Sequence, residues 1–386
     1  MNRETRPVVL VLLGCFWPGN DASGPNQSFI ALATALSRAF DFRVVARDRA
    51  PGAPVSTAPA NWVDLGYAKA RYLPVGRFGA IGLTKLLRET PHDVLWLNSV
   101  YDREFTLPAL AARLLLGTRA AALLSPRGEF AAGALEVKPG KKQVFLGLIR
   151  ALGLWRGVTV HATSETEAKE IAARAPAGTA IVMAPNLRLM LAPPPFLPPG
   201  DALRVIFVGR IVPIKGLDFA LKVLARVRAK VEFEIFGPPE DTATASRCEK
   251  LAAALPPNIV AHWRGAASNE AIVAALARTD LFFLPTGGEN FGHAIFESLS
   301  CGAPVLISDR TPWRNLKDAG AGWDLPLDDQ APFVKAIESF AALPSEERLQ
   351  LRAAAREVAR KWVEESGAAE ASAHMLRHLT AAGAAR

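Results

Sequence analysis

Two carboxylates stand close together in a glycine-rich part of the sequence. Glu289 follows two glycines, and seven residues separate it from Glu297. A helical pattern begins at Phe291, which predicts that Glu289 lies in the loop before a helix and Glu297 about two turns into that helix. The first amides of a helix lack intrahelical partners and lie at the positive end of its dipole. The amides of residues 290–293 would therefore bind an anion.

A second stretch carries two cations near the end of a predicted strand. Residues 205–208 are apolar and lead directly into Gly209 and Arg210, while Lys215 and Gly216 open the next helical pattern. Arginine offers a forked, always-charged donor and lysine a mobile ammonium. At one strand-to-helix turn the two would neutralise the oxygens of a diphosphate. Together with a helix N-terminus, they would take the place of a metal ion.

Both stretches belong to a regular alternation of short apolar segments and amphipathic segments. In the first half the segments are 8–13 then 26–40, 94–98 then 105–116, and 120–124 then 141–152. In the second half they are 203–208, 217–229, 231–236, 243–254, 281–285, 291–301 and 305–307. Strands that are apolar throughout predict parallel sheets covered by helices on both faces. The fold class is therefore α/β, with two doubly wound, Rossmann-like domains.

A proline-rich segment divides the two halves. Residues 192–200 contain five prolines in nine positions, which excludes a helix or a central strand and predicts an interdomain linker. We expect an amino-terminal domain over 1–191, a carboxy-terminal domain over 201–364, and a final helix over 365–386 that could cross back to the first domain. Doubly wound sheets bind ligands beyond the carboxyl ends of their strands, so a cleft between the domains is the expected site.

Composition narrows the class of protein. The chain has 386 residues, of which 50% are hydrophobic and 21% charged, which excludes a disordered protein. The longest apolar run, residues 8–17, is well short of the ~20 residues of a membrane-spanning helix. Three widely spaced cysteines indicate neither a disulfide framework nor a metal site. We therefore expect a cytoplasmic protein.

The net charge of +8 is unevenly distributed. Residues 1–190 carry 23 basic and 14 acidic side chains, whereas the rest carries 22 and 23. Nine basic residues and three acidic ones lie between 103 and 156. The stretch contains no recognisable nucleic-acid-reading module, which argues against nucleic-acid binding. An anionic membrane surface or a diphosphate-bearing acceptor fits the excess, and solvated helix faces are the plain alternative.

The motifs resemble those of a known enzyme family. The stretch 209–216, the pair Glu289 and Glu297, and the stretch 302–306 are similar to retaining glycosyltransferases of family 4, which have the GT-B fold. The segments 125–142 and 161–167, with Gly24 in the loop after the first strand and Asn186 before the linker, resemble the branch that builds lipopolysaccharide, capsule and other exopolysaccharides.

The resemblance implies a role for each matching residue. Arg210 and Lys215 would hold the diphosphate of a UDP-sugar or GDP-sugar donor, Glu297 would bind the ribose hydroxyls, and Glu289 would bind the sugar. The amides of Phe291 and Gly292 would complete the phosphate site, and Gly24 and Asn290 would also bind the donor. Transfer in this family retains the anomeric configuration, and the leaving phosphate takes the acceptor's proton, so no protein nucleophile is needed.

The acceptor side is less closely specified. Many family members carry a histidine in a first-domain loop beside the donor sugar. The comparable loop here is 125–129, in which Arg127 is the candidate for contact with sugar or phosphate; an exposed surface arginine is the alternative. Lys138, Lys141 and Lys142 lie close together and would meet a lipid-diphosphate acceptor or the inner face of the cytoplasmic membrane. His293 would touch the donor, or is merely a packed histidine. The acceptor itself would be a saccharide or a lipid-linked saccharide.

We expect neither a metal nor a cofactor. No Asp-x-Asp pair is present, and His374 with His378 has no third ligand nearby. Paired carboxylates also occur in glycosidases, but a hydrolase has no need of a phosphate site. A nicotinamide-dependent oxidoreductase would use an acid such as Asp48, yet the glycines after the first strand lack the Gly-x-Gly-x-x-Gly spacing. A non-catalytic sugar-nucleotide sensor or scaffold remains the alternative from another class.

Overall fold

A computed structural model of the chain describes residues 6–20, 22–50, 54, 61–74, 79–130, 139–196, 198 and 200–384. The chain forms two compact units. The first unit comprises Met1–Arg188 and Gly367–Arg386, and the second unit comprises Leu189–Ser366. Each unit is built on its own sheet, as the alternation of apolar and amphipathic segments predicted.

The first unit contains an eight-stranded sheet in the order β3-β4-β2-β1-β5-β6-β7-β8. Its strands are β1 (Val8–Leu12), β2 (Asp41–Arg47), β3 (Val63–Asp64), β4 (Lys69–Leu73), β5 (Val94–Asn98), β6 (Ala121–Ser125), β7 (Val158–Ala162) and β8 (Ala180–Met183). The helices between them are α1 (Gly24–Leu36), α2 (Gly79–Glu89), α3 (Thr106–Leu116), α4 (Pro139–Ala151) and α5 (Glu165–Arg174). The pairs are parallel except for β3 with β4.

Two apolar layers cover this sheet. The helices α2 to α5 pack on one face, where Leu86, Leu110, Ile149 and Ile171 join one buried cluster. The helix α1 packs on the other face around Phe29. Strands β5 and β6 are buried along their whole length, as strands between two helical layers must be.

The second unit contains a six-stranded sheet in the order β11-β10-β9-β12-β13-β14. Its strands are β9 (Leu203–Val208), β10 (Val231–Phe236), β11 (Ile259–Gly265), β12 (Leu281–Leu284), β13 (Val305–Ser308) and β14 (Gly322–Leu325). Its helices are α6 (Leu217–Leu224), α7 (Thr242–Ala253), α8 (Asn269–Arg278), α9 (His293–Ser300), α10 (Ala331–Ala341) and α11 (Ser345–Glu365). All strand pairs are parallel, and the strand order reverses between β9 and β12. This is the doubly wound arrangement.

The last helix, α12 (Ala368–Ala384), belongs to the first unit. Its side chains Met375 and Leu376 are buried in the same cluster as Phe29 of α1. None of the helices in the described part of the chain combines the length and apolar character needed to cross a bilayer.

Some element boundaries differ from those predicted. The helix expected over 217–229 ends at Leu224, because the amides of Arg226 and Val227 bond to carbonyls three residues back instead of four. The helix expected from residue 291 begins at His293, since Gly292 precedes it with φ +82°. The proline-rich segment contains neither helix nor strand in its described residues and packs on the second unit, with the Phe196 ring centroid 3.6 Å from the Arg352 guanidinium.

Candidate functional site

Two turns of the second unit are joined at the point where its strand order reverses. One turn follows β9 and contains Ile214; the other follows β12 and contains Thr286 and Gly287. The Ile214 carbonyl accepts hydrogen bonds from the Thr286 hydroxyl at 3.0 Å and from the Gly287 amide at 2.6 Å. Since ligands bind at such switch points in doubly wound sheets, this is the candidate site.

Gly216 fixes the close approach of these two turns. Its φ is +70°, and a Cβ atom at this position would lie 2.1 Å from the carbonyl oxygen of Pro285. Only glycine therefore fits without moving the backbone. The result is that Lys215, which ends a short 3₁₀ turn (Pro213–Lys215), is held over the end of β12.

Lys215 and Glu289 form an ion pair in this site. The Lys215 Nζ atom lies 2.5 Å from Glu289 Oε1, and the two side chains are only 18% and 12% exposed. The Glu289 amide donates to the Arg310 carbonyl at 3.2 Å, which anchors the loop that carries the carboxylate. The structure thus brings together the predicted phosphate ammonium and the predicted sugar-binding carboxylate, 74 residues apart in the chain.

Arg210 has a different partner. Its Nη1 atom lies 2.8 Å from Glu240 Oε2, and the side chain is 57% exposed. The neighbouring Ile211 amide donates to the Pro238 carbonyl at 2.9 Å, which ties this turn to the end of β10. The two predicted donor cations therefore each hold a carboxylate of their own, and the guanidinium is the more accessible of the two.

The N-terminus of α9 is built on a buried aromatic cluster. The Phe291 ring contacts the rings of its neighbours in space, with centroids 4.9 to 6.1 Å apart: His293, Phe296, Trp313 and Trp362. The Phe291 carbonyl accepts a hydrogen bond from Trp313 Nε1 at 2.6 Å. This packing fixes the backbone of Phe291 and Gly292, whose amides were predicted to bind phosphate. Their contact with a ligand stays a prediction.

Glu297 lies four residues after the first residue of α9 and is 3% exposed. It therefore lies about one turn into the helix rather than two, and a solvated surface glutamate is excluded. Its charge also acts on Cys301: burial first, and the Glu297 carboxylate next, raise the pKa of that thiol to about 12. Cys301 is accordingly inert at neutral pH.

The remaining predicted residues of this loop are partly buried. Asn290 lies between Glu289 and the aromatic cluster. The His293 ring packs against Phe291 with centroids 4.9 Å apart, so the packing expected of an ordinary histidine is present. Contact of either residue with a donor stays a prediction.

Arg127 lies at the carboxyl end of β6 in the first unit and is not a freely exposed arginine. Its Nε and Nη2 atoms each donate to Asn98 Oδ1 at 3.2 Å, and its Nη1 atom donates to Asn186 Oδ1 at 2.7 Å. Its φ is +55°, an uncommon conformation for a residue with a side chain. Burial lowers the pKa of this guanidinium. Strain and burial of this kind accumulate at functional sites.

A chain of buried hydrogen bonds supports this part of the first unit. Trp96 Nε1 donates to Ser125 Oγ at 2.8 Å, and Ser125 lies 2.8 Å from His161 Nδ1. His161 Nε2 lies 2.8 Å from the Ala184 carbonyl, so Nε2 carries the proton. Burial, followed by the nearby positive charge of Arg127, lowers the pKa of His161 to about 4.

The sequence predicted no role for Asn98, a partner of Arg127, or for His161 of the neighbouring hydrogen-bond network. Asn98 ends β5 and His161 lies near the end of β7, each a polar residue at the carboxyl end of an apolar strand, which was the available signal. Glu167, 1% exposed, accepts bonds from the Gly128 amide at 2.6 Å and the Thr163 hydroxyl at 2.6 Å.

The other predicted first-unit positions are less informative. Gly24 is the first residue of α1, whose N-cap has no side-chain hydrogen bond. Lys138 lies outside the described residues, and the side chains of Lys141 and Lys142 are likewise not described.

The structure bears on two alternative kinds of site, a metal site and a dinucleotide site. Within the described ranges, no three or more His, Cys, Asp or Glu side chains come together as a metal site requires. The loop between β1 and α1 runs from residue 13 to 23, too long for the tight glycine turn of a dinucleotide site. Asp48, the acid considered for a ribose, pairs with Arg49 at 2.6 Å.

Comparison with known proteins links the second unit to one family. Residues 193–361 match the family of glycosyl transferases group 1. The chain is 28% identical over 159 residues to the D-inositol 3-phosphate glycosyltransferase of Streptomyces bingchenggensis, a match over 38% of this chain and 34% of that protein. The chain thus spans about a third of the length of the curated relatives it matches.

Solved structures resemble the whole chain. Sucrose-phosphate synthase from Thermosynechococcus elongatus has a TM-score of 0.71 and 16% identity, and the match covers 98% of this chain and 100% of that one. HepE from Anabaena in complex with UDP-glucose has a TM-score of 0.69 and 14% identity, covering 96% and 99%. These likenesses confirm the predicted fold, two parallel-sheet α/β domains of the GT-B type.

Proposed function

We propose that this protein is a retaining, metal-independent glycosyltransferase that uses a UDP-sugar or GDP-sugar donor. The observation that carries the proposal is the Lys215–Glu289 pair, held beside the N-terminus of α9 at the switch point of the second unit. The match of residues 193–361 to glycosyl transferases group 1 supports it, because that match covers all of these site residues.

The donor diphosphate would lie between the cations and the helix N-terminus. In the free protein the Lys215 ammonium is paired with Glu289. A bound diphosphate would draw this ammonium towards its oxygens, and the Glu289 carboxylate would then accept hydrogen bonds from hydroxyls of the donor sugar. Arg210, which is exposed, would exchange Glu240 for a phosphate oxygen.

The same residues would stabilise the departing nucleoside diphosphate. Negative charge grows on the leaving phosphate as the bond to the sugar breaks, and fixed cations and amides aimed at that charge lower the barrier. The amides of Phe291 and Gly292 are held by the aromatic cluster, so they require little reorganisation. The leaving phosphate would take the acceptor's proton on the same face of the sugar, which retains the configuration.

Glu297 would bind the nucleotide's ribose. It is buried near the start of α9, one helical turn beyond the predicted phosphate site. The resemblance to family 4 supports this role, because Glu297 matches the carboxylate that binds ribose hydroxyls there. Asn290, Gly24 and His293 would line the donor site, and Arg127 would contact the sugar or a phosphate.

The acceptor would be a saccharide or a lipid-diphosphate-linked saccharide of bacterial surface-polysaccharide synthesis. The support is the resemblance of the first-half motifs to that branch of family 4, together with the excess of basic residues between 103 and 156. Such an acceptor resides in a membrane, so the enzyme would work in the cytoplasm at the inner face of the cytoplasmic membrane. The transferred group would be a hexose.

A panel of UDP-sugars and GDP-sugars in the presence of a chelator tests the proposal. We expect release of UDP or GDP from one donor and, with a lipid-linked saccharide acceptor, a product heavier by one hexose in mass spectrometry. Proton NMR of that product would show the donor's anomeric configuration. Binding of a donor without release or transfer would favour the sugar-nucleotide sensor, and hydrolysis of glycosides would favour a glycosidase.

A further inference from the structure

One helical layer of the first unit exposes apolar side chains to an unusual degree. The helices α2, α3 and α4 pack on the same face of the sheet. Six of the twelve large hydrophobic side chains that are exposed in the described part of the chain belong to this layer or its immediate ends: Ile81, Leu114, Leu115, Val144, Leu148 and Leu152. The helices on the opposite face, α1 and α12, contribute none of the twelve.

Three of these side chains form a stripe along α4. Val144, Leu148 and Leu152 are spaced by four residues, and the Leu152 amide bonds to the Leu148 carbonyl at 3.0 Å, so the helical turn continues to Leu152. Residues at this spacing lie on one side of a helix. Their exposures are 74%, 47% and 58%. The α4 stripe therefore presents a continuous apolar line to solvent.

The stripe is not the side of α4 that packs on the sheet. Phe145 and Ile149 face the core, where Phe145 contacts Tyr101 with ring centroids 5.6 Å apart. The helix is thus held in place by one apolar side while a second apolar side remains outside. Contiguous exposed apolar surface of this kind marks a site of interaction.

The same layer carries a net positive charge. The segments α2, α3 and α4 together contain six basic residues, of which Arg113 is buried, and one acidic residue, Glu89. On the opposite face α1 has no charged residue, and α12 has one acid and one base. The neighbouring helix α5 has three acids and two bases and none of the twelve exposed hydrophobic side chains. Charge and exposed apolar surface therefore coincide on α2 to α4.

We infer that the α4 stripe is a membrane-docking surface that inserts between the headgroups of an anionic lipid leaflet. A bilayer interface provides negative charge and an apolar depth together, and it binds helices with an apolar side and basic residues. The inference rests on the membrane association in the proposed function and specifies the surface and the mode: shallow insertion of three side chains, in addition to electrostatic attraction.

Flotation of the full chain with vesicles of equal parts phosphatidylglycerol and phosphatidylcholine tests the inference. We expect wild type to float with these vesicles and not with phosphatidylcholine alone. Leu148→Ser should lower the partition coefficient about tenfold, and Val144→Ser combined with Leu148→Ser about a hundredfold, because each apolar group loses its burial in the headgroup layer. Leu349→Ser provides the matched control: Leu349 lies on α11 of the second unit and is 53% exposed, so its loss should change nothing.

A fluorescent probe gives a second readout that does not depend on affinity. An environment-sensitive dye attached to the Leu148→Cys variant should shift to the blue on anionic vesicles, whereas the same dye on Leu349→Cys should not. Thermal unfolding of every variant should match wild type, because the substituted side chains are exposed.

Three results would overturn the inference. If wild type floats and Leu148→Ser floats equally well, charge alone mediates association and the stripe is not inserted. If wild type does not float, both the inserted stripe and the proposed membrane association are wrong. Release of nucleoside diphosphate still tests the proposed enzyme activity separately. If Leu148→Ser instead abolishes a dimer in sedimentation and no vesicle binding occurs, the stripe is a surface for a second copy of the chain.

Discussion

Replacing Lys215 by alanine probes both the stability of the second unit and the proposed chemistry. In the free protein this change leaves the Glu289 carboxylate without its ammonium, at a site where both side chains are less than one fifth exposed. A hydrogen bond to a charged group contributes about 1.5–3 kcal/mol net, and such burial leaves little screening by salt. We expect the free energy of unfolding of the second unit to fall by about 2 kcal/mol.

The same variant should lose catalysis by a separate effect. Lys215→Ala removes a charged contact to the departing diphosphate, and removal of one such contact raises the barrier by about 2 kcal/mol or more. Since 1.36 kcal/mol corresponds to a factor of ten, kcat/KM for the donor should fall at least ~30-fold. The loss should appear in kcat, because the charge on the phosphate grows in the transition state.

Two measurements separate these effects. Denaturant unfolding reports the loss of stability, and release of nucleoside diphosphate, measured well below the melting temperature, reports the loss of rate. Lys222→Ala is the matched control, because Lys222 lies one turn into α6, is 48% exposed and is 3.8 Å from Asp218. Exposed pairs contribute ~0–1 kcal/mol, so this control should behave as wild type in both assays.

A rate for Lys215→Ala within about twofold of wild type, together with the expected loss of stability, would show that Lys215 has no role in the transfer step. It would mean that Lys215 only neutralises Glu289. The double variant Lys215→Ala, Glu289→Ala distinguishes the roles further: it should recover part of the stability, because the unpaired carboxylate is gone, but none of the activity.

Further predictions concern a glycine, a buried carboxylate and a buried histidine. Gly216→Ala should reduce stability and donor turnover well beyond Gly265→Ala: the φ values are +70° and +69°, but only Gly216 has a backbone oxygen within 2.1 Å of the new Cβ. Equal effects in thermal unfolding would contradict this. Glu297→Gln should lower donor kcat/KM ~30-fold by removing the charge that binds ribose; an unchanged rate in the donor assay would exclude that role. Burial lowers the pKa of His161 to about 4. Between pH ~6.5 and pH 4 the unfolded chain therefore binds a proton at this histidine that the folded protein does not bind. The free energy of unfolding should decline by about 3 kcal/mol over this range. His161→Gln should flatten this decline in denaturant titrations, and its persistence would contradict the assignment.

The fold was predictable because its signal is local. Each buried strand is a short apolar run, as in β5 and β6, and each helix follows with its own period. The errors lie at boundaries: the helix predicted from residue 291 starts only after Gly292, which has a positive φ and follows Phe291, whose carbonyl accepts a hydrogen bond from Trp313. Such tertiary contacts are not visible in the periodicity.

The sequence indicates which residues could form a donor site, but it does not indicate which of them pair with one another. The two stretches expected to bind one diphosphate follow β9 and β12, whose carboxyl ends form the switch point. Which carboxylate each cation would hold depends on the loop conformations. The Gly216–Pro285 contact brings Lys215 to Glu289, while the end of β10 brings Glu240 to Arg210.

The contacts of Arg127 are a third feature that the sequence alone does not predict. Its partner Asn186 lies 59 residues later in the chain, and only the sheet order brings β6 and the end of β8 to the same edge. The sequence signals a polar residue at each strand end, but the network among them follows from side-chain geometry. The net charge of +8 likewise indicates no particular surface until the fold shows that α2, α3 and α4 pack on one face of the sheet.

Calorimetric titration of the protein with UDP and GDP in a chelator, with NADH for comparison, tests whether the chain binds the nucleotide of a sugar donor without a metal. We expect saturable binding of one nucleoside diphosphate, at least ~30-fold weaker in Lys215→Ala, unchanged in Lys222→Ala, and no binding of NADH. Binding of neither diphosphate, binding that requires added metal, or equal affinity for Lys215→Ala would contradict this expectation.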